Sequence, residues 1–405
     1  MTPERFPARL TPNPSIDRAS AYGSAERAIL SEAGLAAAKA EIAGWPGYAP
    51  TPLVALPGLA KALGLGAALY KDEGARFELM SFKALGGAYA VLRVLQARAE
   101  AAGLGRPSAA EFASGRPAKI ARATTVACAT DGNHGRSVAW GARMTGCRCV
   151  IYLHEGVSAA REREIARFGA EIRRTPGAYD DSVRACARDA AAQGWTLVAD
   201  TDSGGGGPEI PRLVMQGYAL IVDEIDAADP APPTHVFVPG AVGGLAAAIV
   251  AAYWERRGAE RPMIVCVEPE QADCISRSLA ARRPTAVAGD VDSFMACLAA
   301  GEVSPAAWPI LRSGLDAALA LPDAAAMAAM RLLADGAAGD PPIVSGESGA
   351  AATAALVAAA QDPRLRSALG LGGDARVLMI GSEGATDAET YERTVGRPAS
   401  AVFAA

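Results

Sequence analysis

Three short stretches of the chain place chemically competent side chains beside glycines. In 81-SFKALGGAYA-90, Lys83 stands at the start of an amphipathic helical pattern. A lysine in that position becomes a nucleophile when burial or a helix N-terminus lowers its proton affinity. The plain alternative is a solvated helix lysine, but only five lysines (Lys39, Lys61, Lys71, Lys83, Lys119) occur among 39 basic residues, so arginine supplies the generic positive charge. In 130-TDGNHG-135, Asp131 and His134 are the groups able to move protons near neutral pH, although an Asx-type turn capping a helix would use the same residues. In 239-PGAVGGLAA-247, glycines 240, 243 and 244 leave backbone N–H groups open where a helix begins, which is an anion cradle or a tight packing turn. Neither a GK[ST] ending nor a GxGxxG pattern is present, so the ligand expected there is a monophosphate.

These loops need elements to position them. The runs 123-ATTVACAT-130, 148-RCVIYL-153, 234-THVFVPG-240, 262-PMIVCVEP-269 and 375-ARVLMIGSEG-384 are short and apolar or β-branched, and each ends in small or polar residues. Alanine-rich segments at 134–146, 158–169 and 243–258 read as helices between them. Near-continuous apolar strands separated by helices predict parallel sheets covered on both faces, with ligands at the carboxyl ends of the strands. The breaks 229-DPAPP-233 and 204-GGGG-207 are the best boundary or hinge candidates. No repeat of fixed period is present.

Composition bounds the rest. The 405 residues allow two or three domains, with 51% apolar and 20% charged residues. No charge-free apolar run reaches about eighteen residues, and the N-terminus MTPERFPARLTPNPS carries charge and proline where a signal peptide has an apolar segment. A cytoplasmic protein without a membrane partner is expected. The net charge of -5 offers no footprint for nucleic acid. Seven cysteines without CxxC spacing read as reduced thiols, and three unpaired histidines argue against a zinc site, so no metal is expected. His154 and His235 read as packing or surface residues, Cys274 and Cys297 as small buried hydrophobes, and 161-REREIAR-167 as a solvated helix face.

Taken together, SFKALGGAYA, TDGNHG and PGAVGGLAA resemble the Schiff-base lysine segment, the cofactor-facing asparagine loop and the phosphate loop of fold type II pyridoxal-phosphate enzymes. The stretches 52-PLVALPGLA-60, 215-MQGYA-219, 268-EPEQADC-274, 294-FMACLA-299, 345-SGESGA-350 and 381-GSEGATD-387 narrow the resemblance to the diaminopropionate ammonia-lyases, over about residues 45 to 390. The aspartate in TDGNHG is the most telling feature, since dehydratases and racemases of the class usually carry serine there.

The resemblance implies a tryptophan synthase β-like α/β fold: two domains, each a mostly parallel sheet covered by helices. Residues 1–119 and 223–405 would form a large cofactor-binding domain, with 120–222 a smaller inserted one. It implies pyridoxal 5'-phosphate as cofactor, Lys83 as its Schiff-base lysine, Asn133 on the phenolic oxygen, and Gly240, Val242, Gly243 and Gly244 on the phosphate. Ser382 would meet the ring nitrogen and Glu347 the ring edge. Lys83 and Asp131 would act as bases on opposite faces of the substrate, with Thr130, Asp131 and Asp200 contacting it. The expected reaction is α,β-elimination on a small β-amino amino acid to pyruvate and ammonia, by a homodimer. A serine or threonine dehydratase, a lyase for a bulkier β-substituent and a non-catalytic relative are the alternatives. One segment departs from the pattern: 200-DTDSGGGGPEIP-211 keeps Asp200 and Thr201 but has four glycines in place of bulky residues, which suggests a wider pocket.

Overall fold

The computed structural model describes residues 4–130, 132–202, 207–289, 291–336 and 339–403. Strands β1 (Arg9–Pro12), β2 (Leu53–Ala55), β3 (Ala67–Asp72), β4 (Thr125–Ala129), β5 (Arg148–His154), β6 (Glu171–Thr175), β7 (Thr196–Leu197), β8 (His235–Pro239), β9 (Met263–Pro269), β10 (Ala317–Leu321) and β11 (Arg376–Gly381) follow one another along the chain, mostly separated by helices. They belong to two compact units. Among the described residues, no helix is long and apolar enough to cross a membrane.

The first unit is made of Met1–Ser31, Pro50–Ser81 and Ile221–Ala405. Its sheet has the order β1-β10-β9-β8-β11-β3-β2, parallel in the middle and antiparallel at both edges. The central strands are apolar along their length because helices cover both faces. Tyr70, Phe237, Val265, Leu319 and Met379 form the core with the wholly buried helix residues of Ala351–Ala360, whose many alanines permit a close approach to the sheet. In the register of β11 and β3, Gly381 lies opposite Asp72, and beyond those ends Gly384 N donates to Met80 O (3.0 Å) while Ser81 bridges Glu383. The segment that leads to Lys83 is thereby paired with the segment that carries Ser382.

A buried ion network pins the places where the chain leaves this unit. Lys71 Nζ donates to Glu224 Oε2 and to Thr51 O, both at 2.7 Å. Arg76 makes a two-pronged contact with Glu224 (2.7 Å each) and another with Glu73 (2.8 Å each), and Thr51 Oγ1 donates to Glu73 at 2.6 Å. Thr51, Arg76 and Glu224 stand a few residues from the boundaries at Pro50, Ser81 and Ile221.

The second unit is made of Glu32–Ala49 and Phe82–Leu220, around the all-parallel sheet β6-β5-β4-β7. It takes in 32–49 and 82–119 beyond the 120–222 segment singled out from the sequence. The reason is packing: helix Lys83–Ala101 buries Leu85, Tyr89, Leu92 and Leu95, and lies against helices Asn133–Thr145 and Glu209–Tyr218. Gln96 Nε2 bonds Glu41 Oε1 at 2.8 Å, and Trp45 meets Trp140 edge to face at 5.6 Å, tying 32–49 to the same group.

Removing one partner of a buried ion pair strands the other charge, a loss of roughly 3–5 kcal/mol. Glu224→Gln should therefore lower the denaturant midpoint by a corresponding amount, with an unchanged denaturant slope; a loss below about 1 kcal/mol would mean that Lys71 and Arg76 find other partners or water.

Candidate active site

The second unit holds a lysine amine in a part-buried ion pair. Lys83 is the first residue of helix Lys83–Ala101, and its Nζ lies 2.5 Å from Asp200 Oδ2, 117 residues further along the chain. Its side chain keeps 15% of its surface exposed, whereas Lys71, the other lysine in a buried pair, keeps 1%. The Phe82 and Tyr218 rings flank the amine, with centroids 5.3 and 5.9 Å from Nζ.

Glycines make this approach possible. A Cβ on Gly86 would stand 2.4 Å from Tyr218 Cε1, and one on Gly87 would stand 2.6 Å from Ser137 Oγ, which accepts from Ala88 N at 3.0 Å. The Lys83 helix can therefore close on both neighbouring helices in its first turn, the turn that carries the amine.

The carboxyl ends of β4 and β7 bring two loops together. Thr130, at the end of β4, accepts from Gly132 N and Gly135 N through its hydroxyl, both at 3.1 Å. Gly135 is required there, since a Cβ would lie 2.2 Å from Thr130 Cγ2. Asn133 opens helix Asn133–Thr145 and is buried. His134 Nε2 donates to Val198 O at 2.7 Å, which fixes the hydrogen on that nitrogen and joins the 130–135 loop to the strand exit leading to Asp200. Nδ1 has no hydrogen-bond partner among the described residues. Burial pushes His134 below its ordinary value, with Asp200 drawing it up and Lys83 pushing it down, so the ring is neutral at pH 7. Burial also works to raise the Asp200 carboxyl, but the Lys83 ammonium, by its charge and its hydrogen bond, outweighs it and holds the group well below the usual carboxylate range. Asp131 lies outside the described residues, as do residues 203–206 of the glycine-rich loop.

The first unit supplies an anion cradle. After β8 the chain turns through Gly240, Ala241 and Val242, and Gly243 (φ +92°) precedes helix Gly244–Arg257. A Cβ on Gly240 would meet Cys266 Sγ at 2.9 Å, and one on Gly243 would meet Leu311 Cδ1 at 2.6 Å. No acidic residue occupies the first turn and no side chain caps it, so the N-terminus of this long helix is open to a negative group. Behind the loop, burial pushes Glu268 up to about 7 although Ile275 N, Ser276 N and Ser276 Oγ all donate to it. Glu347 and Ser382 are buried in the same unit, Ser382 directly after β11. Cys274 is buried as expected, whereas Cys297 is only half-buried and its thiol donates to Glu383 Oε2 at 3.5 Å, so it is not a plain core residue; His235 is a buried packing residue bonded to Leu369 O.

Most of the candidate side chains within the described residues thus sit near a strand exit or a helix start; Glu347 lies in the turn that precedes helix Ala351–Gln361. The Lys83–Asp200 pairing and the His134–Val198 bond were not apparent from the sequence, because sequence spacing carries no signal for partners far apart in the chain. Tyr218 lay inside the MQGYA motif, but its place beside the amine depends on how two helices pack.

The family model for pyridoxal-phosphate dependent enzymes matches residues 45–383. The chain is 38% identical over 357 residues to the diaminopropionate ammonia-lyase of Escherichia coli K12, which covers 86% of this chain and 88% of that protein. Its backbone follows the crystal structure of holo diaminopropionate ammonia lyase from Escherichia coli with a TM-score of 0.87 at 34% identity, covering 97% of each chain. A structure of the same enzyme in complex with an aminoacrylate-PLP azomethine reaction intermediate matches with a TM-score of 0.85, at 34% identity, covering 97% of this chain and 98% of that one.

A carboxylate held below its unfolded value stabilises the fold above that value and loses the effect as pH falls through the folded one. In cofactor-free protein, Asp200→Asn should therefore be destabilising at pH 7, and the gap in denaturant midpoint should narrow as pH falls below about 4. A gap independent of pH would contradict the ion pair.

Proposed function

Because the chain belongs to the family of pyridoxal-phosphate dependent enzymes, we propose that it is an ammonia-lyase that eliminates ammonia from 2,3-diaminopropionate, using pyridoxal phosphate. The observation that carries this reading is Lys83: an accessible amine held against a buried carboxylate at a helix start, in a chain whose backbone follows a holo diaminopropionate ammonia lyase. The reaction consumes one diaminopropionate and one water and releases pyruvate and two ammonia.

The cofactor suits the donors present. Gly240, Val242, Gly243 and Gly244 would hold the phosphate, where a Cβ on Gly240 or Gly243 would crowd the turn. Asn133 would donate to the phenolic oxygen, Ser382 would meet the ring nitrogen, Glu347 would lie at the ring edge, and Lys83 would bind the aldehyde. When bound, pyridoxal phosphate withdraws electrons from the amino acid's α-carbon, chemistry that no side chain here supplies. Ser382, a neutral hydroxyl, would meet the ring nitrogen without adding a charge there, which would suit elimination better than transamination.

The chain's own groups handle protons and position. Lys83 would take the α-proton of one enantiomer, and Asp131, in the role that the resemblance implies for it, that of the other. Asp200 stays ionised beside Lys83, which suits it to attract the substrate's β-ammonium. Thr130 shapes the loop that faces the substrate through the bonds its hydroxyl makes to Gly132 and Gly135. The same reading carries a homodimer working in the cytoplasm on a free amino acid, without a nucleic-acid or membrane partner. The glycine run at 204–207 favours a second reading, a wider β-substituent.

Three outcomes are expected. Ammonia and pyruvate should appear at two to one from the diamine, and a one-to-one ratio from serine as the best substrate would point to a dehydratase. Lys83→Ala should lose the visible absorbance of bound cofactor. Asp131→Asn should slow one enantiomer by about 10²–10⁴-fold and leave the other within a few-fold. Across a panel of β-substituted amino acids, highest pyruvate release from the smallest diamine supports the first reading; highest release from a bulkier analogue supports the second.

A further inference from the structure

Tyr218 is the last residue of helix Glu209–Tyr218 and is 1% exposed. Its ring meets Phe82 edge to face at 4.7 Å and lies 5.9 Å from Lys83 Nζ. Two glycines exist to let it in: besides Gly86, a Cβ on Gly217 would stand 2.1 Å from Leu85 O. Yet its hydroxyl is buried and makes no well-formed hydrogen bond among the described residues. A buried O–H of this kind is uncommon and asks for an explanation. Burial pushes its ionisation up, Lys83 draws it down both by its charge and by a hydrogen-bonding contact with the hydroxyl, and Asp200 raises it.

An ammonium carries three N–H donors, and Asp200 accepts one of them here. On the reading above, Lys83 must at some point hold a proton while Asp200 is engaged by the substrate's β-ammonium. Stabilising a cation at that moment calls for a neutral acceptor, since a further carboxylate would change the charge of the site. We propose that the Tyr218 hydroxyl is a positioning group for Lys83, the neutral acceptor that receives its ammonium when the amine turns away from Asp200. Among the described residues, the groups that act on the amine include Asp200, His134 of helix Asn133–Thr145, and Tyr218. Nothing in the hydroxyl's packing requires the oxygen, because phenylalanine would keep the ring contact with Phe82.

The scarcity of lysine makes a direct test practical. In full-length protein carrying 13C at lysine Cε, the five lysines give five signals whose pH midpoints report each amine, and the Lys83 signal is assigned by its loss in Lys83→Ala. Tyr218→Phe should lower the Lys83 midpoint by about half a pH unit and leave the other four in place. In the Asp200→Asn background, where the amine has lost its carboxylate, the same change should lower it by more. An unchanged Lys83 midpoint in both backgrounds would overturn the assignment. So would a change spread over all five signals, which would mark a general disturbance of the fold. Added pyridoxal phosphate should move the Lys83 signal alone; if it does not, the functional reading fails, while the comparison of midpoints still decides the role of Tyr218.

Discussion

On the proposed function, the amine of Lys83 has to be held in one place, and a side chain left in open water is mobile. In this chain the Lys83 amine is placed 2.5 Å from Asp200. Removing two charges from water costs free energy, and their attraction offsets that cost only with close geometry. The rest of the second unit supplies that geometry. His134 stays neutral and fixed by its bond to Val198, so it adds no competing charge, and the aromatic rings of Phe82 and Tyr218 flank the amine.

The pairing depends on backbone proximity more than on the charged groups themselves. Gly86, Gly87 and Gly217 are sites where a methyl group would collide with a neighbouring helix, so the first turn of the Lys83 helix is as tightly packed as backbone allows. Ahead of Lys83, Met80 and Ser81 are paired with Gly384 and Glu383, and Arg76 is locked between Glu73 and Glu224. The residues that precede Lys83 are therefore held in the first unit by backbone pairing and by a buried ion network, and those that follow it are held in the second by close-packed glycines.

Much of this was legible in the sequence. The apolar runs that became β4, β5, β8, β9 and β11 end in the loops expected to carry chemistry, because buried parallel strands leave long unbroken apolar signatures. The edge strands β1 and β2 and the two-residue β7 are too short for a pattern, and β10, Ala-Ala-Leu-Ala-Leu, has a composition that suits a helix equally well. At the site, Lys83, Asn133 and the 240–244 turn could be found because glycine patterns mark them. The partnership of Lys83 with Asp200 could not, because it joins two helix-and-strand ends brought together only by tertiary packing. Segment 32–49 likewise joined the second unit through Gln96–Glu41 and Trp45–Trp140 contacts, which no local pattern records.

The central claim is that Lys83, out of five lysines, is the amine that carries the cofactor. Borohydride reduction of the protein loaded with pyridoxal phosphate, followed by peptide mapping, tests it directly. A pyridoxyl-phosphate mass on the peptide containing Lys83 and on no other is the predicted result. Label on Lys39, Lys61, Lys71 or Lys119 in its place, or no label at all, would contradict it.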